Sequence, residues 1–430
     1  MTLALGMYRV ATGMAEPFAP MILRKRLKSG KERADRIGER LGMTETPRPA
    51  GPLVWMHGAS VGESQLLLSV LREIRAAGCD VAAVVTTQTL TSAELVGRSA
   101  GEKVLHQMAP VDSPGAVRRF LDHWRPDAVV FAEGEIWPNM LMGVKRRGVP
   151  AALVNARMTD GSIDGWLKRR ATARELFGVF SFVGAADPKT AGALDSILGC
   201  RPDVIGNLKR AMQVKAADSD QVDAWRAGIG RRQVLLAAST HAGEEALALD
   251  ALDRVRRGGG GKPLLVIAPR HPERGGEIVS LSEARGMKTQ RRSVDASVPA
   301  ASCDVLVADT LGEMMFWFEV ADGVFLGGAS VDGIGGHNPM EPAQVHRRVF
   351  CGPYGYNFRD TFDALERCGA VVIGRGASEL ATFWGACLRD GAHAHADWAA
   401  VTAYLAESRA AMTVTVGAVC AMLKGAQADA

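Results

Sequence analysis

From residue 52 onward, short apolar runs alternate with stretches long enough to form helices. Continuous apolar runs of this kind are typical of parallel strands that are covered on both faces of a sheet. The runs form two series: 53–57, 81–87, 128–132, 151–155 and 179–184, then 234–239, 264–269, 305–309, 323–328 and 371–374. Two such series predict two doubly wound α/β domains joined in one chain.

The length of 430 residues also favours two domains, because it exceeds the usual size of one hydrophobic core. A polar stretch at 206–232 separates the two series of strands and marks the expected boundary. The predicted organisation is a basic N-terminal segment at 1–50, a first domain at 51–215, a second domain at 216–390 and a helical tail at 391–430.

Composition excludes several classes of protein. Apolar residues make up 47% and charged residues 23%, which is ordinary for a globular protein and excludes disordered, collagen-like and low-complexity chains. The net charge of +4 is too small to indicate a nucleic-acid partner. Ten Lys/Arg against five acids give residues 1–50 a charge of +5, so the remaining chain is close to neutral. Seven scattered cysteines without a CxxC pair predict a reducing compartment rather than a disulfide framework.

The N-terminal segment combines an apolar stripe with a basic run. One helical face carries Leu3, Met7, Val10 and Met14, and the basic run RKRLKSGK follows at 24–31. Charges and prolines interrupt the segment too often for a membrane-spanning helix, and a signal peptide also fits poorly. Two interpretations stay open: an interfacial membrane anchor, or a helix packed on the protein body.

Several common site signatures are missing from the sequence. Neither a GxGxxG fingerprint nor a GxxxxGK[ST] loop occurs, and the dispersed histidines predict no metal site. The GxSxG match at 97–101 does not follow an apolar strand, which favours a chance match. Because doubly wound sheets bind ligands at the carboxyl ends of their strands, we expect the site in a cleft between the two domains.

The first candidate segment is HGASVGES at 57–64, directly after a predicted strand. Ser60 and Glu63 have the spacing of a capping box, so Glu63 could simply close the start of a helix. Its place at a strand end also suits a general base acting on a substrate hydroxyl. Both interpretations stay open from these residues alone.

Two further segments of the first half carry charged side chains, one at a predicted strand end and one near the expected domain boundary. FAEGEIWPN at 131–139 carries Glu133 and Glu135, which an ordinary strand-to-helix turn would also explain. VIGNLKR at 204–210 carries Lys209 beside a glycine turn, where a plain linker residue is the alternative.

The second half offers three segments suited to an anionic ligand. Arg270 and His271 follow an apolar strand, and the planar guanidinium group suits phosphate. DTLGEM at 309–314 has capping-box spacing between Thr310 and Glu313, which predicts a helix start there. GGASVDGIGGHNPMEPA at 327–343 is rich in glycine, which suggests backbone N–H groups facing a ligand, and its Glu341 could bind ribose hydroxyls.

These segments, taken together and in order, resemble the 3-deoxy-D-manno-octulosonic acid (Kdo) transferase family over residues of about 20 to 380. The matching segments are HGASVGE, EGEIWPN, NARMTDGS (155–162), GNLK, APRHPER, DTLGEM and GGHNPMEPA. The resemblance implies an inverting glycosyltransferase of GT-B fold, with two Rossmann-like domains facing a cleft. It implies CMP-Kdo as donor and the lipid A precursor, lipid IVA, as acceptor, without a metal or other cofactor. It also implies peripheral or monotopic attachment to the cytoplasmic face of a Gram-negative inner membrane.

The resemblance assigns roles to individual residues. Glu63 would be the general base, and Glu133 with Lys209 would stabilise the transition state. The N-terminal domain would hold the acceptor and the C-terminal domain the nucleotide. The residues implied in donor binding are Arg270, His271, Gly312, Glu313, Met314, Asn338, Pro339, Met340 and Glu341.

Three other functions fit parts of the pattern. A different GT-B transferase would use a UDP-sugar in place of CMP-Kdo. A two-lobed periplasmic ligand-binding protein would share the paired α/β domains but would need a cleavable signal. A dinucleotide oxidoreductase fits less well because the GxGxxG fingerprint is missing.

Overall fold

A computed structural model describes residues 1–99, 101, 103–211 and 216–428. The chain forms two compact units. Unit 1 comprises Met1–Gln213 together with Leu405–Ala430, and unit 2 comprises Val214–Tyr404. The predicted boundary after residue 215 and the last residues of the predicted tail lie outside the described residues, as does one residue of the 97–101 match.

The chain begins with three helices, α1 (Leu3–Ala15), α2 (Ala19–Lys28) and α3 (Ile37–Arg40). Pro20 lies in the first turn of α2, where its missing N–H costs no helical hydrogen bond. The predicted apolar face of α1 is present and points to solvent, since Leu3, Met7, Val10 and Met14 are 60–81% exposed. No helix in the described part of the chain is long and apolar enough to cross a membrane.

The opposite face of α1 packs against the rest of unit 1. Leu5 is buried in the core there, and the Tyr8 hydroxyl donates to Oδ2 of Asp112 at 3.0 Å. The Asn139 side-chain amide donates to Oγ1 of Thr12, also at 3.0 Å. The packed-helix interpretation therefore holds for one face of α1, and the exposed stripe lies on the other.

Unit 1 is built on a parallel seven-stranded sheet in the order β3-β2-β1-β4-β5-β6-β7. The order reverses between β1 and β4, which makes their carboxyl ends the switch point of the sheet. Its elements are β1 (Leu53–His57), α4 (Val61–Ala76), β2 (Ala82–Thr87), α5 (Leu90–Ser99), β3 (Val104–Met108), α6 (Pro114–Trp124), β4 (Ala128–Ala132), α7 (Pro138–Arg146), β5 (Ala151–Ala156), α8 (Asp160–Lys168), α9 (Arg170–Phe177), β6 (Phe182–Ala185), α10 (Pro188–Leu198) and β7 (Val204–Ile205).

Unit 2 contains a second parallel seven-stranded sheet in the order β10-β11-β9-β8-β12-β13-β14, with its switch point between β8 and β12. Its elements are α11 (Ser219–Ile229), β8 (Val234–Thr240), α12 (Glu244–Arg257), β9 (Leu264–Pro269), α13 (Gly275–Glu283), β10 (Thr289–Arg291), β11 (Val305–Val307), α14 (Met314–Val320), β12 (Gly323–Leu326), α15 (Met340–Gln344), β13 (Val349–Cys351), α16 (Arg359–Arg367), β14 (Val371–Ile373) and α17 (Gly376–Asp390). The chain ends with α18 (Trp398–Ala428), which belongs to unit 1 from Leu405 onward.

Both faces of each sheet are covered, as the continuous apolar runs predict. In unit 1, Trp55 and Phe131 belong to the core on one face, and Val54 belongs to the core on the other. The second core also contains Ala411 and Val419 of α18, so the C-terminal helix completes the cover of the first sheet. Two doubly wound α/β units are therefore confirmed.

Candidate active site

Two charged side chains meet near the carboxyl edge of the first sheet. Nζ of Lys209 lies 2.6 Å from Oε1 of Glu133, the residue that follows β4. The backbone of Glu133 has a φ of 54°, a left-handed conformation that is uncommon for glutamate. Backbone strain of this kind persists only where the surroundings enforce it, and it concentrates at functional sites.

The surroundings that hold this ion pair are two asparagines. Asn155, at the end of β5, donates from Nδ2 to Oε1 of Glu133 at 3.3 Å and accepts the Leu208 N–H at 2.8 Å. Oδ1 of Asn207 accepts the N–H of Lys209 at 3.1 Å. The turn that carries Lys209 is thus fixed to the strand end beside Glu133.

Glu63 forms the predicted capping box. Ser60 is the N-cap of α4 and accepts the N–H of Glu63, while the Glu63 carboxylate accepts the Ala59 N–H at 2.6 Å and the Ser60 hydroxyl at 2.9 Å. The structural interpretation of Glu63 is therefore confirmed. A role as base remains a prediction, and a carboxylate with two such bonds still has free lone pairs for a substrate hydroxyl.

The glycines around Glu63 permit close approach. A Cβ on Gly58 would lie 2.9 Å from Cβ of Glu63, so no larger residue fits there without movement. A Cβ on Gly62 would lie 3.3 Å from Nζ of Lys209. The ammonium group of Lys209 therefore lies against Gly62, the residue before Glu63 in the first turn of α4, while it contacts Glu133.

Glu135 has a different partner from Glu133. Its Oε2 lies 3.3 Å from Nε2 of the fully buried His57 and accepts the Trp137 indole N–H at 2.6 Å. Burial acts to raise the pKa of Glu135, but the contacts with His57 and Trp137 outweigh it and the pKa is lowered. Of the two acids in EGEIWPN, the one that contacts Lys209 is Glu133.

A second group of predicted residues meets at the strand ends of unit 2. Arg270 follows β9 and is exposed, and among the described residues no carboxylate lies within 4 Å of its guanidinium group. Burial raises the pKa of Glu341, against the opposing effect of the positive charge of Arg270. Burial also lowers the pKa of His337 to about 4, and Arg270 adds to that shift. His271 is exposed, with Nδ1 3.5 Å from Oε1 of Glu273.

His241 and His337, which lie beyond the carboxyl ends of the neighbouring strands β8 and β12, form a pair. Nε2 of His241, just after β8, lies 2.9 Å from Nε2 of His337, and the two rings stack. One of the two nitrogens must donate and the other accept, which requires at least one neutral ring. Burial lowers the pKa of His241 as well, which favours its neutral form.

The glycine-rich loop is held by protein groups, which corrects one expectation. The buried Glu244 accepts the N–H groups of Gly328 and Ser330, at 2.8 Å and 3.1 Å. A Cβ on Gly328 would lie 2.7 Å from the His337 ring. The N–H groups of Gly327, Gly328, Gly333 and Gly336 all bond to protein atoms. The expectation that this run of glycine N–H groups faces a ligand is therefore wrong for these four.

The remaining donor-binding candidates lie at two helix starts. Helix α14 begins at Met314 with Glu313 as its N-cap, so the expected cap at Thr310 is wrong, although the Thr310 hydroxyl does contact the Glu313 carboxylate. Arg292 pairs with Glu313 at 2.9 Å. Gly312 adopts a φ of 88°.

The second helix start is that of α15, where the predicted segment 338–341 lies. Oδ1 of Asn338 accepts the N–H of Met340 at 3.1 Å, Pro339 is the N-cap, and Glu341 follows in the first turn. Helix α15 therefore begins within the segment 338–341.

Comparison with known proteins decides the family. A family model described as 3-deoxy-D-manno-octulosonic-acid transferase (kdotransferase) matches residues 35–212. The 3-deoxy-D-manno-octulosonic acid transferase of Bordetella pertussis is 33% identical over 371 residues, which cover 85% of this chain and 82% of that protein. The chain belongs to the Kdo transferase family.

Two further comparisons concern sequence and fold. The probable mitochondrial 3-deoxy-D-manno-octulosonic acid transferase of Arabidopsis thaliana is 29% identical over 382 residues. The match covers 87% of this chain and 85% of that protein. A crystal structure of a glycosyltransferase from Rickettsia africae ESF-5 matches with a TM-score of 0.53 at 11% identity, covering 89% of this chain and all of that one. The second match concerns the fold alone and agrees with two Rossmann-like units of the GT-B type.

Membership of the Kdo transferase family makes the chain a glycosyltransferase and connects it with Kdo transfer in lipopolysaccharide biosynthesis. It sets aside the UDP-sugar transferase, the two-lobed binding protein and the oxidoreductase. The site roles of individual residues remain predictions.

Sequence reasoning missed several residues that build these groups: His57, Asn155, His241 and Glu244. All four lie at or just beyond the carboxyl end of a buried strand. A polar residue at the carboxyl end of a parallel strand is therefore the sequence signal that could have identified them.

Proposed function

We propose that this Kdo transferase moves Kdo from CMP-Kdo to the lipid A precursor, lipid IVA, with inversion at the anomeric carbon and without a metal ion. Glu63 would be the general base, and Glu133 with Lys209 would stabilise the transition state. The observation that carries the proposal is the position of Lys209, whose ammonium group contacts Glu133 and lies against the turn that presents Glu63.

The groups of unit 1 suit proton abstraction and charge stabilisation. Glu63 is half-buried in the first turn of α4, the helix that follows β1, where an acceptor hydroxyl can approach its free lone pairs. Lys209 supplies a positive charge in a fixed direction, because both its backbone N–H and its ammonium group are held. A preorganised charge of this kind stabilises a developing transition state without reorganisation.

The groups of unit 2 suit the nucleotide. The guanidinium group of Arg270 has the planar donor geometry that phosphate requires. Glu341 can accept hydrogen bonds from vicinal ribose hydroxyls, and burial makes such bonds stronger. Gly312, Glu313 and Met314, together with Asn338, Pro339 and Met340, would complete the donor site at the starts of α14 and α15.

The positive charges of Lys209 and Arg270 replace a metal in this proposal. Among the described residues, no group of three or more His, Cys, Asp or Glu side chains is placed to hold a metal ion. If the proposal is correct, transfer continues in EDTA and does not rise when Mg²⁺ is added.

The decisive test is a variant of the proposed base. Glu63→Gln keeps a carbonyl oxygen for the Ala59 N–H, so the capping box and the fold should survive. Incubation with CMP-Kdo and a tetra-acylated lipid A precursor, followed by mass spectrometry, should give Kdo mass increments with the wild type and none with this variant. Glu73→Gln on the same helix is the matched control and should transfer normally. Near wild-type transfer by Glu63→Gln would reject the base assignment.

We also propose that the exposed stripe of α1 attaches the enzyme to the cytoplasmic face of the inner membrane, peripherally or as a monotopic protein. The stripe continues beyond α1, since Phe18 and Met21 are 60% and 66% exposed. An exposed apolar face followed by a basic run is what an interfacial helix needs. Replacing Met7 and Val10 by Gln should release the protein from vesicles that contain anionic lipid. Unchanged sedimentation with those vesicles would reject this role.

A further inference from the structure

A cavity of about 490 Å³ opens in unit 1 between α1, α6 and α7. Five arginines line it, together with Glu16 and the first turn of α6: Arg9, Arg118, Arg119, Arg146 and Arg147. The cavity contains none of the residues assigned to catalysis or to the donor.

The positive charge of this cavity is only partly compensated. Arg119 pairs with Glu16 at 3.0 Å, and Arg147 pairs with Asp122. The second carboxylate oxygen of Glu16 already accepts the N–H of Gly115 at 2.8 Å. Among the described residues, no carboxylate lies within 4 Å of the other three arginines, Arg9, Arg118 and Arg146.

The arrangement is costly without an anion. Nη1 of Arg9 is fully buried and has no hydrogen-bond partner, which leaves a charged donor unsatisfied. Burial lowers the pKa of Arg146, and the neighbouring charges of Arg9 and Arg147 lower it further. A dianionic or monoanionic phosphate group would satisfy these donors, because guanidinium groups bind phosphate oxygens through paired hydrogen bonds.

The neighbourhood of the cavity indicates where that phosphate comes from. Arg9 lies on α1 between Met7 and Val10, two members of the exposed apolar stripe. A lipid can place its acyl chains along such a stripe while its headgroup reaches a basic cavity beside it. We propose that the arginine cavity binds the phosphate group of a lipid headgroup. The lipid source rests on the membrane attachment proposed above, whereas phosphate binding itself does not.

Phosphate binding is tested with a soluble probe, dihexanoyl phosphatidic acid below its micellar concentration, by isothermal titration calorimetry. The cavity variant Arg118→Gln/Arg146→Gln removes two guanidinium groups that contact no carboxylate. Arg72→Gln/Arg98→Gln removes the same charge from α4 and α5 and is the matched control. We expect the cavity variant to bind at least about tenfold more weakly than the control, since it loses charge-assisted hydrogen bonds. Equal affinity of the two variants would overturn the proposal.

Two further arms identify the lipid. Weaker binding of the cavity variant to phosphatidylcholine vesicles containing phosphatidylglycerol would assign the phosphate to the bilayer. A raised KM for the lipid A precursor in zwitterionic micelles, with kcat unchanged, would assign it to the acceptor. A cavity variant that behaves like the control in both arms would reject the lipid headgroup as the ligand. Because the calorimetric arm needs no transfer, failure of the proposed reaction would not be mistaken for failure of this site.

Discussion

The ammonium nitrogen of Lys209 lies 2.6 Å from Oε1 of Glu133, and the two residues reach this contact from distant parts of the sheet. Glu133 follows β4, near the centre of the sheet, whereas Lys209 follows β7 at its edge. Their side chains are 16% and 33% exposed, so solvent weakens the pair and its contribution to stability is small. The pair therefore serves mainly to orient the two charged side chains and contributes little to the stability of the fold.

The strained backbone of Glu133 predicts a separation between stability and activity. A left-handed φ costs a residue other than glycine about 1–2 kcal/mol. We expect Glu133→Gly to be at least as stable as Glu133→Gln by urea unfolding, although glycine ordinarily weakens a fold. Both variants should lose Kdo transfer. A Glu133→Gly variant clearly less stable than Glu133→Gln would show that no strain is relieved.

Gly62 predicts that a single methyl group disturbs Lys209. A Cβ at this position lies 3.3 Å from Nζ, so Gly62→Ala should shift the ammonium group away from Glu133 and lower kcat. The same change removes a glycine from the first turn of α4 and should leave the unfolding midpoint unchanged or slightly higher. Gly192→Ala is the control, because a Cβ there meets nothing within 4 Å on helix α10. Equal kcat values for the two variants would contradict the assigned position of Lys209.

The sequence predicts the fold class well because buried parallel strands are continuous apolar runs. The sequence pattern misses four strands: β3, β7, β10 and β13. Strands β7, β10 and β13 are short, and polar side chains such as His106 and Gln107 interrupt the apolar run of β3. The pattern also ends the strands near 305 and 323 two residues too late, and it begins the strand near 180 three residues too early.

The site is predicted only in part, for a related reason. Motifs identify Glu63, Glu133 and Lys209, but the side chains that contact Glu133, those of Lys209 and Asn155, come from elsewhere in the chain. Glu244 binds N–H groups 84 and 86 residues away, and no local pattern predicts such contacts. For the same reason, the glycines near Gly328 suggest a ligand when the structure shows Glu244 and His337 against them.

The buried carboxyl of Glu341 predicts a pH-dependent cost. Its pKa is raised above the ordinary value of 4.5 because burial disfavours the charged form. The folded protein therefore binds more protons than the unfolded chain just above pH 4.5, and stability falls as pH rises through that range. Glu341→Gln lacks this cost, so it should gain stability relative to the wild type between pH 4.5 and neutral pH. Urea midpoints at several pH values measure the difference, and a constant difference would contradict the prediction.

His337 predicts the opposite dependence on pH. Its pKa is lowered from 6.5 to about 4, chiefly by burial, so the unfolded chain binds a proton that the folded protein rejects between these values. The neutral form of His337 makes its full contribution to stability above pH 6.5. This contribution is lost as the pH falls toward 4, and the free energy of unfolding drops by at most on the order of 3 kcal/mol. His337→Gln can still hydrogen bond to His241 but does not titrate, so its unfolding midpoint should fall less than that of the wild type on acidification. The wild-type His337 ring resonance should titrate near pH 4 in an NMR experiment. Titration near 6.5, together with equal acid sensitivity of the variant and the wild type, would show that the ring is not held neutral against His241.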